Sequence, residues 1–304
     1  MRMIAALLVL GACGGTSPTS PPHDAPRDGR SPSDAPGGDA GGTGLAPGTF
    51  PAAWIHGSQN CGANADPELQ VHAYNATTII FRQNKCRTFE APFIYLLVGQ
   101  TSALLIDSGA TGSTKLRETV RGMIGTLPLV VAHTHAHGDH TAGDGTFANQ
   151  PNTTVIGTSA GAVQAAFGAG TKDLGGRVVD VFPIPGHQAQ HFAFYDRATG
   201  LLFTGDTLYP GLLFISDWTA YRASVGMLAA FVAAHPISYV LGAHVEMTAT
   251  PKQVYPYGTT YQPAEHLLQL GVADVTALQT AVTALGASPP NNDVAYDNFV
   301  ISPQ

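Results

Sequence analysis

Thr134-His135-Ala136-His137-Gly138-Asp139-His140 is the stretch that decides how this chain is read. Four potential metal ligands fall within six residues, directly after Leu127 to Ala132, an apolar run that reads as a buried strand. Imidazole and carboxylate suit Zn²⁺, which takes nitrogen and oxygen ligands at ~2.0–2.2 Å. Four side chains on one tight loop do not easily close on a single ion. They are expected to divide between two ions, with further ligands drawn from elsewhere in the chain.

Three later segments offer them. Pro185-Gly186-His187 follows an expected strand at Val178 to Ile184. Thr204-Gly205-Asp206-Thr207 follows one at Leu201 to Phe203, and Gly242-Ala243-His244 follows one at Ile237 to Leu241. Each candidate stands at the C-terminal end of an apolar strand, where loops held by a packed scaffold usually build sites.

In this order, H-x-H-x-D-H, Pro-Gly-His, Gly-Asp-Thr and a late His resemble the metallo-β-lactamase superfamily. Leu105-Ile106-Asp107-Ser108-Gly109 is similar to that family's early strand-turn. The resemblance covers roughly residues 70 to 250 and implies an α/β fold, an αββα sandwich of two mixed β-sheets flanked by helices. It also implies two Zn²⁺ ions, although His and Asp ligands admit iron or manganese as well. By motif, His135, His137 and His187 would hold one ion, Asp139, His140 and His244 the other, and Asp206 would bridge them. Asp107 would support the metal loop without ligating. The implied activity is hydrolysis, with Asp139 orienting the nucleophilic water and relaying its proton.

Among the branches of the family, an Asp at position 206 departs from the Cys or Ser usual in zinc β-lactamases. Tyr209 matches a tyrosine of the lactonases, whose hydroxyl reaches the substrate carbonyl, and would be an oxyanion donor; a core tyrosine is the other reading. The glyoxalase II branch carries a basic glutathione-binding region, and none can be located in a chain with four lysines. A small-molecule lactone, ester or thioester is therefore favoured, with β-lactam hydrolysis as the alternative. A non-catalytic metal-binding module and an iron redox enzyme are the readings from other classes.

Other residues stand near these motifs. His191 is expected to support the ligands or to be an ordinary bonded histidine, and His133 to have a structural or surface role. Trp218, Tyr221 and Arg222 either line a pocket or pack. Glu246 either supports His244 or is exposed. His56, His72, His235 and His266 fit no ligand pattern, and His23 falls in a linker.

The bulk composition agrees. The chain has 304 residues, 44% hydrophobic and only 12% charged, with net charge −7. Such a chain lacks the basic face that nucleic-acid binding requires. Twelve His against 14 Lys plus Arg is the unusual count.

The start reads as a targeting segment. Met1-Arg2-Met3 and the short apolar run Ile4 to Leu10 suit a secretory signal over residues 1–12. Leu10-Gly11-Ala12-Cys13 resembles a bacterial lipobox, which implies a lipid anchor on Cys13 and a place in the cell envelope; plain secretion is the alternative. Residues 13–49 are poor in apolar side chains and read as a disordered Gly/Pro/Ser linker, leaving 50–304 as the hydrolase domain. In an oxidising compartment Cys61 and Cys86 can pair; free buried thiols are the alternative.

The expected elements alternate. Val71 to Phe81 reads as a strand, and Phe93 to Val98 with Ala103 to Ile106 as a hairpin. Ser113 to Ile124, Ser159 to Phe167 and Ser224 to Ala234 read as helices, and Pro263 to Leu285 as a helix pair broken at Gly271. Thr154 to Gly157 and Phe192 to Tyr195 read as further strands.

Overall fold

The computed structural model describes residues 44–304. The expected signal, Cys13 and all but the end of the expected linker lie outside the described residues.

The first half of the fold is one sheet and its coverings. Strands β1 (Leu69–Asn75), β2 (Thr78–Gln83), β3 (Phe93–Val98) and β4 (Ala103–Ile106) form an antiparallel meander. Helix α1 (Lys115–Ile124) then crosses to β5 (Leu129–Ala132), parallel to β4. The short helices α2 (Gly138–Thr141) and α3 (Asp144–Phe147) lead to β6 (Thr153–Val155), parallel to β5. This six-stranded sheet runs in the order β1-β2-β3-β4-β5-β6.

Helix α4 (Ala160–Phe167) passes to the second sheet, with β7 (Thr171–Asp173), β8 (Val178–Pro183), β9 (Phe192–Asp196) and β10 (Leu201–Gly205). Next come β11 (Leu212–Ile215), α5 (Trp218–Ala234), β12 (Tyr239–Gly242), β13 (Gln269–Leu270) and α6 (Val272–Leu285). Strands β14 (Val294–Ala295) and β15 (Val300–Pro303) end the described chain. The second sheet has the order β13-β12-β10-β9-β8-β7. A third, three-stranded sheet, β11-β15-β14, is an addition to the two expected sheets.

Strand periodicity builds the layers. Tyr95 and Leu97 of β3 face inward to meet Phe194 and Phe203 of the second sheet, while Ile94 and Leu96 face outward to Leu116 and Val120 of α1. In the second sheet, Ala193, Tyr195 and Leu202 point the other way, to Val225 and Leu228 of α5 and Leu278 of α6. Every residue of β2, β4, β9 and β10 is buried. Both faces of these strands are covered, so each reads in sequence as an apolar run, with polar residues confined to its ends. The molecule is the expected α/β sandwich, αββα in its layers.

The packed chain begins before Phe50. The amide of Ala46 donates to the Ala198 carbonyl at 2.8 Å and that of Thr49 to the Tyr74 carbonyl at 2.9 Å, so residues 46–49 are pinned to the domain and are not linker. Cys61 and Cys86 form a disulfide, which ties the entering segment to the loop after β2. Among the described residues no helix is long and apolar enough to cross a membrane.

Candidate metal centre

The ends of β4, β5, β8, β10 and β12 reach the same edge of the sandwich, and their loops bring the candidate ligands together. Ring nitrogens of His135 (Nε2) and His187 (Nε2) lie 2.9 and 3.0 Å from Nδ1 of His137. Oδ2 of Asp206 is 3.7 Å from the first and 3.5 Å from the second. A second group meets beside it. Nε2 of His140 is 3.3 Å from Oδ2 of Asp139 and 3.4 Å from Oδ1 of Asp206. Nε2 of His244 is 3.1 Å from Asp139 and 3.5 Å from Asp206 Oδ1. Thus the two oxygens of Asp206 belong to different groups.

Four ligands ~2.0–2.1 Å from one ion, in a tetrahedron, stand about 3.3 Å from each other. Both quartets match this, their ligand atoms all lying within 4.8 Å of one another. Hydrogen bonding alone does not satisfy them: His140 Nε2 and Asp206 Oδ1 are buried and without a partner. A buried polar atom left so costs roughly 1–3 kcal/mol, and a cation at each centre removes the deficit. The donor set fits two divalent cations.

The surroundings fix which nitrogen faces inward. Nδ1 of His140 meets Asp107 Oδ2 at 2.8 Å, Nδ1 of His187 meets the Phe214 carbonyl at 2.7 Å, and Nδ1 of His244 meets the Glu90 carbonyl at 3.2 Å. With the ring proton on Nδ1, each Nε2 lone pair would be left for a ligand role once a cation displaces the second proton. Gly186 allows His187 its place: its φ is +142°, and a Cβ there would stand 2.4 Å from Tyr221 Cα.

Charge follows burial. Desolvation, and then the neighbouring His140 charge, hold His135 well below the usual histidine range. Burial also opposes charge on His244, but the Asp206 and Asp139 carboxylates outweigh it and raise the ring to about 9. His140 is raised the same way against its own burial, by Asp206 and Asp107. The carboxylates create a field that holds positive charge at this edge.

Residues 87–166 and 160–244 match the family described as the metallo-beta-lactamase superfamily. The chain belongs to this superfamily. It is 42% identical over 83 residues to a hydroxyacylglutathione hydrolase of Chromohalobacter salexigens, covering 26% of this chain and 32% of the relative. A hydroxyacylglutathione hydrolase of Yersinia enterocolitica is 30% identical over 150 residues, 46% of this chain and 58% of the relative. The chain thus spans under two thirds of the length of either. A solved metallo-beta-lactamase from Pontibacter korlensis shares the fold at TM-score 0.51 and 17% identity, covering 71% of this chain and 99% of that one.

Around the superfamily's metal edge, this chain places its remaining candidates unevenly. His191 is fully buried, stacks on His135 at 4.8 Å, and its Nε2 accepts from the Asp206 amide at 3.3 Å. Tyr209 lines the cavity, but its hydroxyl donates to the Leu212 carbonyl and stands 3.3 Å from Glu246, with the ring edge-on to His244. To act as oxyanion donor it would have to leave that carbonyl. Glu246 accepts from the Leu212 amide at 2.9 Å and is not an exposed group. Buried His133 lies 3.2 Å from Asp144. Trp218 and Tyr221 pack: one donates to Gly286, the other to Thr207, and neither lines the cavity. Arg222 donates to the Val282 carbonyl of α6.

The centre forms the floor of a cavity of about 860 Å³. Its walls contain residues that the motifs did not mark: Glu90, Tyr257, Asp293 and Gln304. Glu90 holds His244 through a backbone carbonyl, a contact that no side-chain pattern encodes.

Proposed function

We propose that the protein is a zinc-dependent hydrolase of small carbonyl substrates, with a thioester, ester or lactone as the bond cleaved. One observation carries the reading: each oxygen of Asp206 completes a separate His-rich quartet on the floor of an open cavity. His135, His137, His187 and Asp206 would hold one ion, and Asp139, His140, His244 and Asp206 the other. Two ions so held supply Lewis acidity toward a carbonyl oxygen and lower the pKa of water toward ~7. The names of the relatives support thioester hydrolysis.

The chain's own groups do the rest. Asp139 lies at the cavity side of its quartet, where its carboxylate can orient water and accept a proton from it. Asp107, Phe214 and Glu90 fix the imidazoles, so little reorganisation is needed when a substrate arrives. Glu90 and residues 254–257 line the cavity above the centre.

Elemental analysis of protein purified without added metal is expected to find two equivalents of zinc. The loaded protein is expected to turn over members of a panel of esters, lactones and thioesters faster than β-lactams. Asp206→Ala is expected to lose both bound metal and turnover while keeping its circular dichroism spectrum. Unchanged turnover in that variant rejects the bridging role.

The same proposal includes export and a lipid tether. Labelled palmitate should enter the full chain in a bacterial host and be lost in Cys13→Ala; equal labelling of the two removes the tether.

A further inference from the structure

The walls of the cavity carry a charge pattern that the metal floor does not call for. Among the described residues that line it, none is Lys or Arg. Glu90, Glu246 and Asp293 add three carboxylates to those of Asp139 and Asp206 on the floor. Two divalent ions would bring four positive charges against the two floor carboxylates, which leaves Glu90, Glu246 and Asp293 as the negative groups facing the rest of the substrate. Lys85 is close behind this wall, but it is 2% exposed, its ammonium donates to the Phe89 carbonyl at 3.0 Å, and it does not line the cavity.

Of the three, Glu246 is already committed to the Leu212 amide. Glu90 has no basic partner among the described residues. Its neighbour at the entrance is Tyr257, 72% exposed, whose ring meets that of Phe89 at 5.0 Å. The Tyr257 hydroxyl is raised by desolvation first and then by the Glu90 and Glu246 carboxylates that face it.

A carboxylate beside an open aromatic face is the chemistry that recognises an ammonium group. A thiol or alcohol portion bearing carboxylates would meet like charge at Glu90, Glu246 and Asp293. Building on the hydrolase reading above, we propose that the part of the substrate that does not react carries an ammonium or quaternary ammonium group, received by the Glu90 carboxylate and the Tyr257 ring. The cavity selects cationic over anionic esters and thioesters.

The test uses the zinc-loaded full chain and three thioacetates of matched size: acetylthiocholine, its neutral 3,3-dimethylbutyl isostere, and an analogue ending in a carboxylate. Thiol release is followed with a chromogenic disulfide. The cationic substrate should exceed the neutral one in kcat/KM by about tenfold, and the anionic one by more. The advantage should shrink as salt is raised. Glu90→Gln and Tyr257→Ala should each lower the cationic-to-neutral ratio, and Glu90→Lys should favour the anionic analogue.

Equal kcat/KM for the three substrates, or variants that lower all three alike, overturns the proposal, because a merely structural Glu90 would act on every substrate. If no thioacetate or panel ester is hydrolysed, the hydrolase reading falls separately. The ammonium site is then read by calorimetric titration with choline. Saturable binding weakened by Glu90→Gln supports it, and no saturable binding overturns it.

Discussion

Asp107 holds a left-handed backbone with φ of 68° and is 1% exposed. Its Oδ1 accepts from the Thr134 amide at 2.8 Å while Oδ2 meets His140. Both ends of the H-x-H-x-D-H loop therefore hang on one carboxylate. Asp107→Ala is expected to lower metal affinity by ~10–100-fold, measured by competition with a chromophoric chelator. Wild-type affinity in that variant would mean that the loop holds itself. Tyr209→Phe is expected to keep kcat within a few-fold of the wild type, because the hydroxyl is committed to Leu212. A loss of ~10²–10³ would reinstate it as an oxyanion donor. The candidate ligands were legible in the sequence because ligation uses side chains of few types, at strand ends, in a fixed order. The supports given by Phe214 and Glu90 were illegible because they come from carbonyl oxygens, which every residue has.

Elements differ in how plainly they announce themselves. The all-apolar strands of the two main sheets were readable, since burial on both faces leaves few polar interruptions. Val71 to Phe81 resolves instead into β1 and β2, turning at Ala76-Thr77, where the Asn75 side chain accepts from the Thr77 amide at 3.0 Å. Helix α5 starts six residues before the expected Ser224, because the Asp217 side chain caps it by accepting from the Ala220 amide at 2.9 Å. Residues 263–270 are not helical; Gly271 marks a helix start, not a break, with Asp274 accepting from its amide at 2.7 Å. Strands β11, β14 and β15 were not anticipated: all are short, and β11 pairs with β15 across a long sequence separation. The loop 84–92 holds a testable strain of its own. Burial, aided by the Arg82 charge, lowers Lys85 from 10.5 to about 8. The folded chain thus binds this proton less tightly than the unfolded chain. Its contribution to stability rises as pH goes from about 8 to 10.5 and is least below 8. Urea melts across that window should show a gain on the order of 3 kcal/mol that Lys85→Met lacks. Parallel curves for the two proteins would place the ammonium in water.

At the scale of the whole molecule, one covalent cross-link acts on one half of the site. The disulfide closes a separation of 25 residues, worth ~3–4 kcal/mol in the chain-entropy model. It also anchors the loop whose Glu90 carbonyl steadies His244. Reduction should therefore lower the melting temperature and weaken metal retention together; a fall in melting temperature alone would confine the bridge to folding. Metal bound only by the folded chain adds RT ln(1 + [M]/Kd), so chelation should also lower the melting temperature. Layer order was legible from alternating strands and helices. The cavity walls were not, because they join Glu90, Tyr257 and the last described strand, which are far apart in sequence. That last strand has a practical outcome. Gln304 lines the cavity, so anything fused behind it would emerge beside the candidate metal centre. A polyhistidine tail placed there would be an intramolecular chelator, and preparations carrying it would mislead about metal content until the tail is cleaved.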